Sequence, residues 1–305
     1  MSNFLIRECC PACGSASSKT LLRKKFTESP LSDYLETFYC GQGTIDMSLL
    51  ESGEYVLNAC DACGLVYQKE IPNDDLMYVL YEKWIAPEIA RELHESYGTS
   101  YYMKQLSELG NIILKLGDKP KELKCLDFGM GWGLWCRMAR GFGCNVYGVE
   151  LSQSRIEYAE SWGISVLTYA DIEKQKFDLI NTEQVFEHIP NPLETLSYLK
   201  SALSKSGIIK VSVPDGWKVK SKINSGRLPR PDYFRSSLIA VQPLEHINSF
   251  DHKSLVKMGE KAGLRVLEVP QHYSCSALEL IKSRVRPIYH SLRGSHSTRV
   301  YFTHT

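Results

Sequence analysis

From residue 123 onwards, short apolar runs alternate with longer stretches in which apolar side chains recur every three or four positions. The runs at residues 123–128, 145–149, 164–168, 177–182 and 208–213 have the length of strands, and most carry β-branched or aromatic residues. Residues 134–140, 192–203 and 253–262 have helical spacing, and Ser206-Gly207 reads as a turn. Strands alternating with helices of this size predict a doubly wound, mostly parallel α/β sheet. A last β-like run at residues 299–303 completes the sheet as an antiparallel strand. Upstream, residues 74–93 and 101–116 also have helical spacing, broken near Pro87 and at Gly98.

The first strand runs into a turn in which Gly129, Gly131 and Gly133 fall on alternate residues, with Asp127 two places before the first glycine. Such a turn presents bare backbone to a ligand at a strand end. The dinucleotide fingerprint needs a glycine where Leu134 stands, and a pyrophosphate disfavours a neighbouring anion. An ammonium or sulfonium ligand accepts that carboxylate. Glu150 ends the next strand, about 20 residues on, where an acid can grip ribose hydroxyls.

The D-x-G-x-G-x-G turn resembles motif I of the class I S-adenosylmethionine (SAM) methyltransferases. The succession of later motifs is similar too: Asp171 after the third strand, Glu187-His188 and Pro190 after the fourth, and a glycine-led fifth strand. The resemblance implies a Rossmann-like methyltransferase sheet over residues 123–305, with residues 73–122 as a helical linker covering the cofactor. It implies that Asp127, Gly129 and Gly131 border the methionine part of SAM, and that Asp127 takes its ammonium. Glu150 would accept both ribose hydroxyls, and Leu151 would pack under the adenine. Asp171 and the amide of Ile172 would read the adenine edge, while Thr182 and Glu183 lie near the sulfonium. Tyr97, Tyr101 and Tyr102 either contact the ligand or pack on the sheet.

Ten cysteines with no export signal point to thiols and metal ligation in a reducing, cytoplasmic setting. Cys10, Cys13, Cys60 and Cys63 form two C-x-x-C-G knuckles, a ligand set for structural tetrahedral zinc in a module of residues 1–72. Cys9 is the alternative to Cys10, and Cys40 is a spare thiol. Cys125, Cys136 and Cys144 are expected in the core. A zinc module before such a domain is similar to sugar and natural-product methyltransferases. The acceptor implied is a small molecule: a sugar, nucleotide sugar or glycan precursor.

Methylation of a hydroxyl also needs a base. Glu-His pairs serve as candidate bases in similar sugar C-methyltransferases, which points to His246, with Glu245 as its orienter or the alternative base. His188 would instead order the turn before Pro190. Lys218, Lys220, Lys222, Arg227, Arg230 and Arg235 make a basic insert, read either as a lid meeting phosphates or as a solvated loop. The formal charge of +1 gives no strong pull towards nucleic acid, and no apolar run is long enough to span a membrane. Two rivals remain from other classes: an RNA-modifying or RNA-binding zinc protein, and a catalytically idle SAM-binding scaffold.

Overall fold

The computed structural model describes residues 2–40, 45–85, 91–92, 95–229, 238–269 and 297–305, without the side chain of Cys40. The chain forms two compact units. One comprises Met1–Glu92, Phe186–Thr195 and Val213–Lys261; the other comprises Leu93–Val185, Leu196–Ser212 and Ala262–Thr305. Two segments beyond residue 123, expected within a single domain, therefore pack with the N-terminal residues.

In the first unit, β1 (Phe4–Ile6), β2 (Ser18–Lys25) and α1 (Leu31–Cys40) lead to β3 (Glu54–Cys60), β4 (Val66–Gln68) and β5 (Glu70–Pro72). Next comes α2 (Asp74–Val79), started by Asn73, whose side chain accepts the Leu76 amide at 2.9 Å. The helix passes into a π turn at Leu80–Trp84; the expected continuation through 86–90 lies outside the described residues. A four-stranded sheet runs β11-β4-β3-β2, antiparallel throughout, where β11 is Asn248–Ser249. Its core buries Phe26, Leu35, Tyr39, Tyr55, Trp84 and Leu244. The Tyr55 hydroxyl donates to the Val241 carbonyl, as a buried phenol requires.

The second unit holds α3 (Thr99–Lys115), β6 (Lys124–Phe128), α4 (Leu134–Gly141), β7 (Asn145–Val149), α5 (Gln153–Ser161), β8 (Ser165–Val166) and β9 (Phe177–Glu183). After α6 (Pro192–Ser201) and β10 (Leu203–Pro214) the chain returns to the first unit for α7 (Val219–Asn224) and α8 (His252–Lys261). Strands β12 (Leu264–Val266) and β13 (Ser297–His304) complete the second unit. The seven-stranded sheet has the order β12-β13-β10-β9-β6-β7-β8. Strands β8, β7, β6, β9 and β10 are parallel, and β12 pairs antiparallel with β13. This is the doubly wound, mostly parallel Rossmann-like sheet expected from the sequence. Leu109, Ile112 and Ile113 of α3 join Leu134, Trp135 and Met138 of α4 in the core beside Cys125 of β6.

The expected turn at Ser206-Gly207 is instead a bulge within β10, where the register shifts between Leu203 and Ile208. Thr303 of β13 secures it by donating to the Gly207 carbonyl at 2.8 Å.

Chain order along the sheet reverses between β6 and β9, and at such a switch point the strand ends leave a crevice for a ligand. Among the described residues no helix is long and apolar enough to cross a membrane.

Candidate active site

The β6–α4 turn stands at the switch point. Gly129, Gly131 and Gly133 all have positive φ, at 75°, 53° and 68°. At Gly129 a Cβ would also lie 2.6 Å from Val185 Cγ2, so this position excludes side chains on two counts. The end of β7 pins the turn. The Val149 carbonyl accepts the amides of Gly129 and Met130 at 2.9 and 3.0 Å. Glu150 accepts the Gly131 amide at 2.9 Å with one oxygen, and with the other the amides of Leu151 and Ser152 at 2.8 and 3.1 Å. A carboxylate has about four acceptor places. Three are taken, so Glu150 can receive one ribose hydroxyl without displacing an amide, and the expected pair only if an amide gives way.

Space for a ligand lies over this turn: a Cβ on Gly131 would meet nothing within 4 Å, and Leu151 is 92% exposed. Asp127 does not share that openness. It is buried, with Asn181 Nδ2 at 2.7 Å and the Cys136 thiol at 3.6 Å. Burial pushes its carboxyl up to about 7, against the pull of Asn181 and Cys136. Asp127 thus supports the strand end from inside, and the expected direct hold on an ammonium finds it enclosed. Thr182 is also turned inwards, donating to the Lys210 carbonyl at 3.0 Å. Asp171 is engaged within its own loop by Lys174 Nζ at 2.8 Å and Thr168 Oγ1 at 2.5 Å, which hold its carboxyl below the usual range. The Ile172 side chain is buried, and its amide donates to the Tyr169 carbonyl at 3.3 Å.

Glu183 reaches the strand edge, its side chain 26% exposed, and Lys210 Nζ stands 2.6 Å behind it. Lys210 is 1% exposed and also lies 3.4 Å from Glu108 of α3. Glu108 in turn accepts the Tyr301 hydroxyl at 2.6 Å and lies 3.7 Å from Arg299 Nε. Of this group, only Glu183 is expected at the site from motif order. The signal for the rest is a lysine inside the apolar run 208–213. Tyr97 and Tyr101 stack at 4.1 Å; burial, with Tyr97 and Glu183 nearby, raises the Tyr101 hydroxyl to about 12.

In the first unit a separate cluster forms around His246. Its ring is 4.8 Å from that of His188, whose Nδ1 lies 2.9 Å from the Tyr81 hydroxyl and 3.0 Å from the Glu245 carbonyl. Glu245 does not orient His246. Its carboxylate accepts the Tyr39 hydroxyl at 2.6 Å and Gln242 Nε2 at 2.8 Å inside the core, and burial raises it to about 7. The Ile239 carbonyl holds His246 Nδ1 instead. Burial lowers His246 to about 4, so the imidazole is neutral at neutral pH.

Asn248 brings the two histidines together. Its Nδ2 donates to the carbonyls of Phe186 and Ile189 at 2.9 and 2.7 Å, and its amide donates to the Glu187 carbonyl at 3.0 Å. Arg7 locks this clamp, reaching Asn248 Oδ1 at 2.7 Å and the Pro190 carbonyl at 3.1 Å. His188 therefore does more than order a turn, and sequence spacing gives no hint of its partner 58 residues away.

Residues 100–269 match the family model described as Methyltransferase domain. The chain belongs to this methyltransferase family. A ubiquinone biosynthesis O-methyltransferase from Glaesserella parasuis is 30% identical over 115 residues, 32% of this chain; the chain spans about half of that relative, 49% of its length. A protein of the same name from Thiobacillus denitrificans is 26% identical over 213 residues, covering 60% of this chain and 85% of the relative. Among solved structures, PKMT2 from Rickettsia typhi in complex with AdoHcy is similar at 14% identity and a TM-score of 0.44, over 66% of this chain and 54% of that one.

This methyltransferase-family chain also gathers Cys10, Cys13, Cys60 and Cys63, with all four sulfurs within 4.8 Å of one another. Cys10 and Cys63 are 3.5 Å apart, and Cys13 and Cys60 are 3.6 Å apart. Four sulfurs at about 2.3 Å from one zinc ion would stand about 3.8 Å apart, so the spacing fits that metal. The knuckles are built alike: the Gly14 and Gly64 amides donate to the carbonyls of Cys10 and Cys60, and the Cys10 and Cys60 amides donate to those of Ser15 and Leu65. Lys257 donates to the Ala62 carbonyl, placing a cation beside the second knuckle. Cys10 rather than Cys9 is in the cluster; Cys9 is exposed. Of the basic insert, Arg230 and Arg235 lie outside the described residues.

Gly129→Ala is expected to cost about 1–3 kcal/mol in chemical denaturation, through φ strain and the clash with Val185. Asn248→Ala strips donors from two carbonyls and the acceptor from Arg7, and should cost about 2–4 kcal/mol, with altered histidine resonances in NMR spectra. Unchanged spectra for that variant would show that the clamp does not set the pair.

Proposed function

We propose that the chain is an enzyme that transfers the methyl group of SAM to a small-molecule acceptor. The glycine turn pinned by Glu150 at the sheet's switch point carries this reading. Open space above Gly131, exposed Leu151 and the Glu183 edge suit a nucleoside with a cationic sulfur better than a pyrophosphate. Gly129 and Gly131 border the methionine part, with Asp127 supporting their strand from within, and Glu150 takes a ribose hydroxyl. Leu151 packs under the adenine, whose edge is read by the loop of Asp171 and Ile172.

SAM supplies a methyl carbon activated by its sulfonium. The acceptor forms a bond to that carbon as the carbon–sulfur bond breaks, leaving a neutral thioether. Alignment of the reacting atoms contributes several kcal/mol. We take oxygen as the acceptor atom, since curated relatives are named O-methyltransferases, and His246 as the group that removes the hydroxyl proton. Its neutral imidazole is in the proton-accepting form, and His188 and Tyr81 line the same cluster. Glu245, committed to Tyr39 and Gln242, is a supporting residue. The acceptor class we favour is a sugar or nucleotide sugar, on the four-cysteine module alone. Cys10, Cys13, Cys60 and Cys63 would hold a zinc ion whose contribution is structural, in a compartment that keeps thiols reduced.

In calorimetry, Glu150→Ala should weaken SAM binding about tenfold or more. His246→Ala should keep SAM affinity while turnover with labelled SAM falls about 10²–10⁴-fold. Equal SAM affinity in Glu150→Ala, or full turnover in His246→Ala, would remove the corresponding assignment. Metal analysis should find one zinc per chain, lost in Cys63→Ser, and chelation should lower Tm. A metal-free chain with the same Tm would reject the zinc site.

A further inference from the structure

We propose that Lys210 is a positioning residue, holding the Glu183 carboxylate at the strand edge as counter-charge to the cofactor's sulfonium. This rests on the SAM reading above. A lysine inside a parallel sheet is costly: taking each ion out of water costs several kcal/mol, and apolar packing of the same volume is often as stable. Yet the register lines up Asp127, Asn181 and Lys210 on neighbouring strands, and sets Glu183 beside Ser212 two residues further along. Because strand side chains alternate, these five share one face of the sheet.

The row is asymmetric. Lys210 is sealed and Glu183 is partly exposed, so the pair is a fixed dipole with its negative end at the edge. Such a preformed dipole needs no reorganisation when a cation arrives. Two further contacts hold the pair on axis: Glu108, 3.4 Å from Lys210, and the Ser212 hydroxyl, which donates to the other Glu183 oxygen at 3.1 Å.

Among the described residues, groups from several elements act on Glu183. Burial opposes its charge, but Lys210, Arg299 of β13 and Ser212 outweigh that and keep the carboxyl below its ordinary range. From α3 come Lys104, Glu108 and Tyr101; Tyr97 precedes that helix, and Asp127 faces it from β6. Removing Lys210 leaves burial and the neighbouring acids dominant, so the Glu183 carboxyl should rise and take up a proton as pH falls.

The test uses two ligands that differ in one methyl group and one charge: SAM, with a sulfonium, and S-adenosylhomocysteine, with a neutral thioether. Calorimetry gives the ratio of their affinities between about pH 6 and about pH 9. In the wild type Glu183 is ionised throughout, so the only slope expected is the one from Asp127, which titrates near 7 on the same face. Glu183→Gln should lower the ratio about tenfold. Lys210→Met should add a fall at the acid end as Glu183 protonates, and Glu183→Gln introduced into that variant should remove the added fall. A merely structural lysine would weaken both ligands by one factor and add no slope that depends on Glu183, and that result overturns the proposal. If Lys210→Met fails to fold, an unchanged ratio in Glu183→Gln overturns it equally. A wild-type chain that binds neither ligand would sink the SAM reading itself, a separate outcome.

Discussion

The end of β7 is the constraint on which the glycine turn depends. Three left-handed glycines on alternate residues cannot hold one shape by themselves, since glycine pays the largest conformational entropy on ordering. The Val149 carbonyl and the Glu150 carboxylate supply the missing order by accepting the amides of Gly129, Met130 and Gly131. Glu150 is therefore part of the turn's architecture, and its two oxygens tie the loop after β6 to the loop after β7.

Behind the turn, the sheet departs from what a buried parallel sheet normally contains. Its central strands should read as continuous apolar runs. Asp127, Asn181 and Lys210 interrupt them at one level, and Glu108 approaches from α3. The level is not arbitrary: it lies just inside the strand ends that face the switch-point crevice. Ile209 and Val211 keep the opposite face of β10 apolar, so the core there packs normally.

Much of this is legible in the sequence. Strands 145–149 and 177–182, helix 134–140 and the doubly wound α/β sheet follow from period and spacing, because each is a local pattern repeated over several residues. The cysteine knuckles are legible for the same reason, as the C-x-x-C-G spacing itself encodes the turn. Cys10 over Cys9 is not, since two adjacent thiols differ only in which one the knuckle's hydrogen bonds turn inwards. The bulge in β10 passes for a turn because Ser206 and Gly207 have turn chemistry; pairing to Phe177 and Leu179 of β9 prevails over that local preference. Glu245 is expected to act on His246 because they are neighbours in sequence, but adjacent residues point in different directions. Its partners, Tyr39 and Gln242, include one 206 positions away.

The histidine cluster shows why such pairs escape a reading by motif. His188 and His246 belong to unrelated-looking segments, and neither segment has the periodicity to fix itself as helix or long strand. They are joined by Asn248, a residue with both a donor and an acceptor on one short side chain. With its backbone and side-chain amides it closes on three carbonyls of the 186–189 turn, and its Oδ1 remains to take Arg7. Aspartate would lack the two side-chain donors, and serine would lack the reach. A guanidinium from the segment just before the first cysteine knuckle then completes the clamp. The N-terminal segment thereby helps to hold the two histidine-bearing loops together.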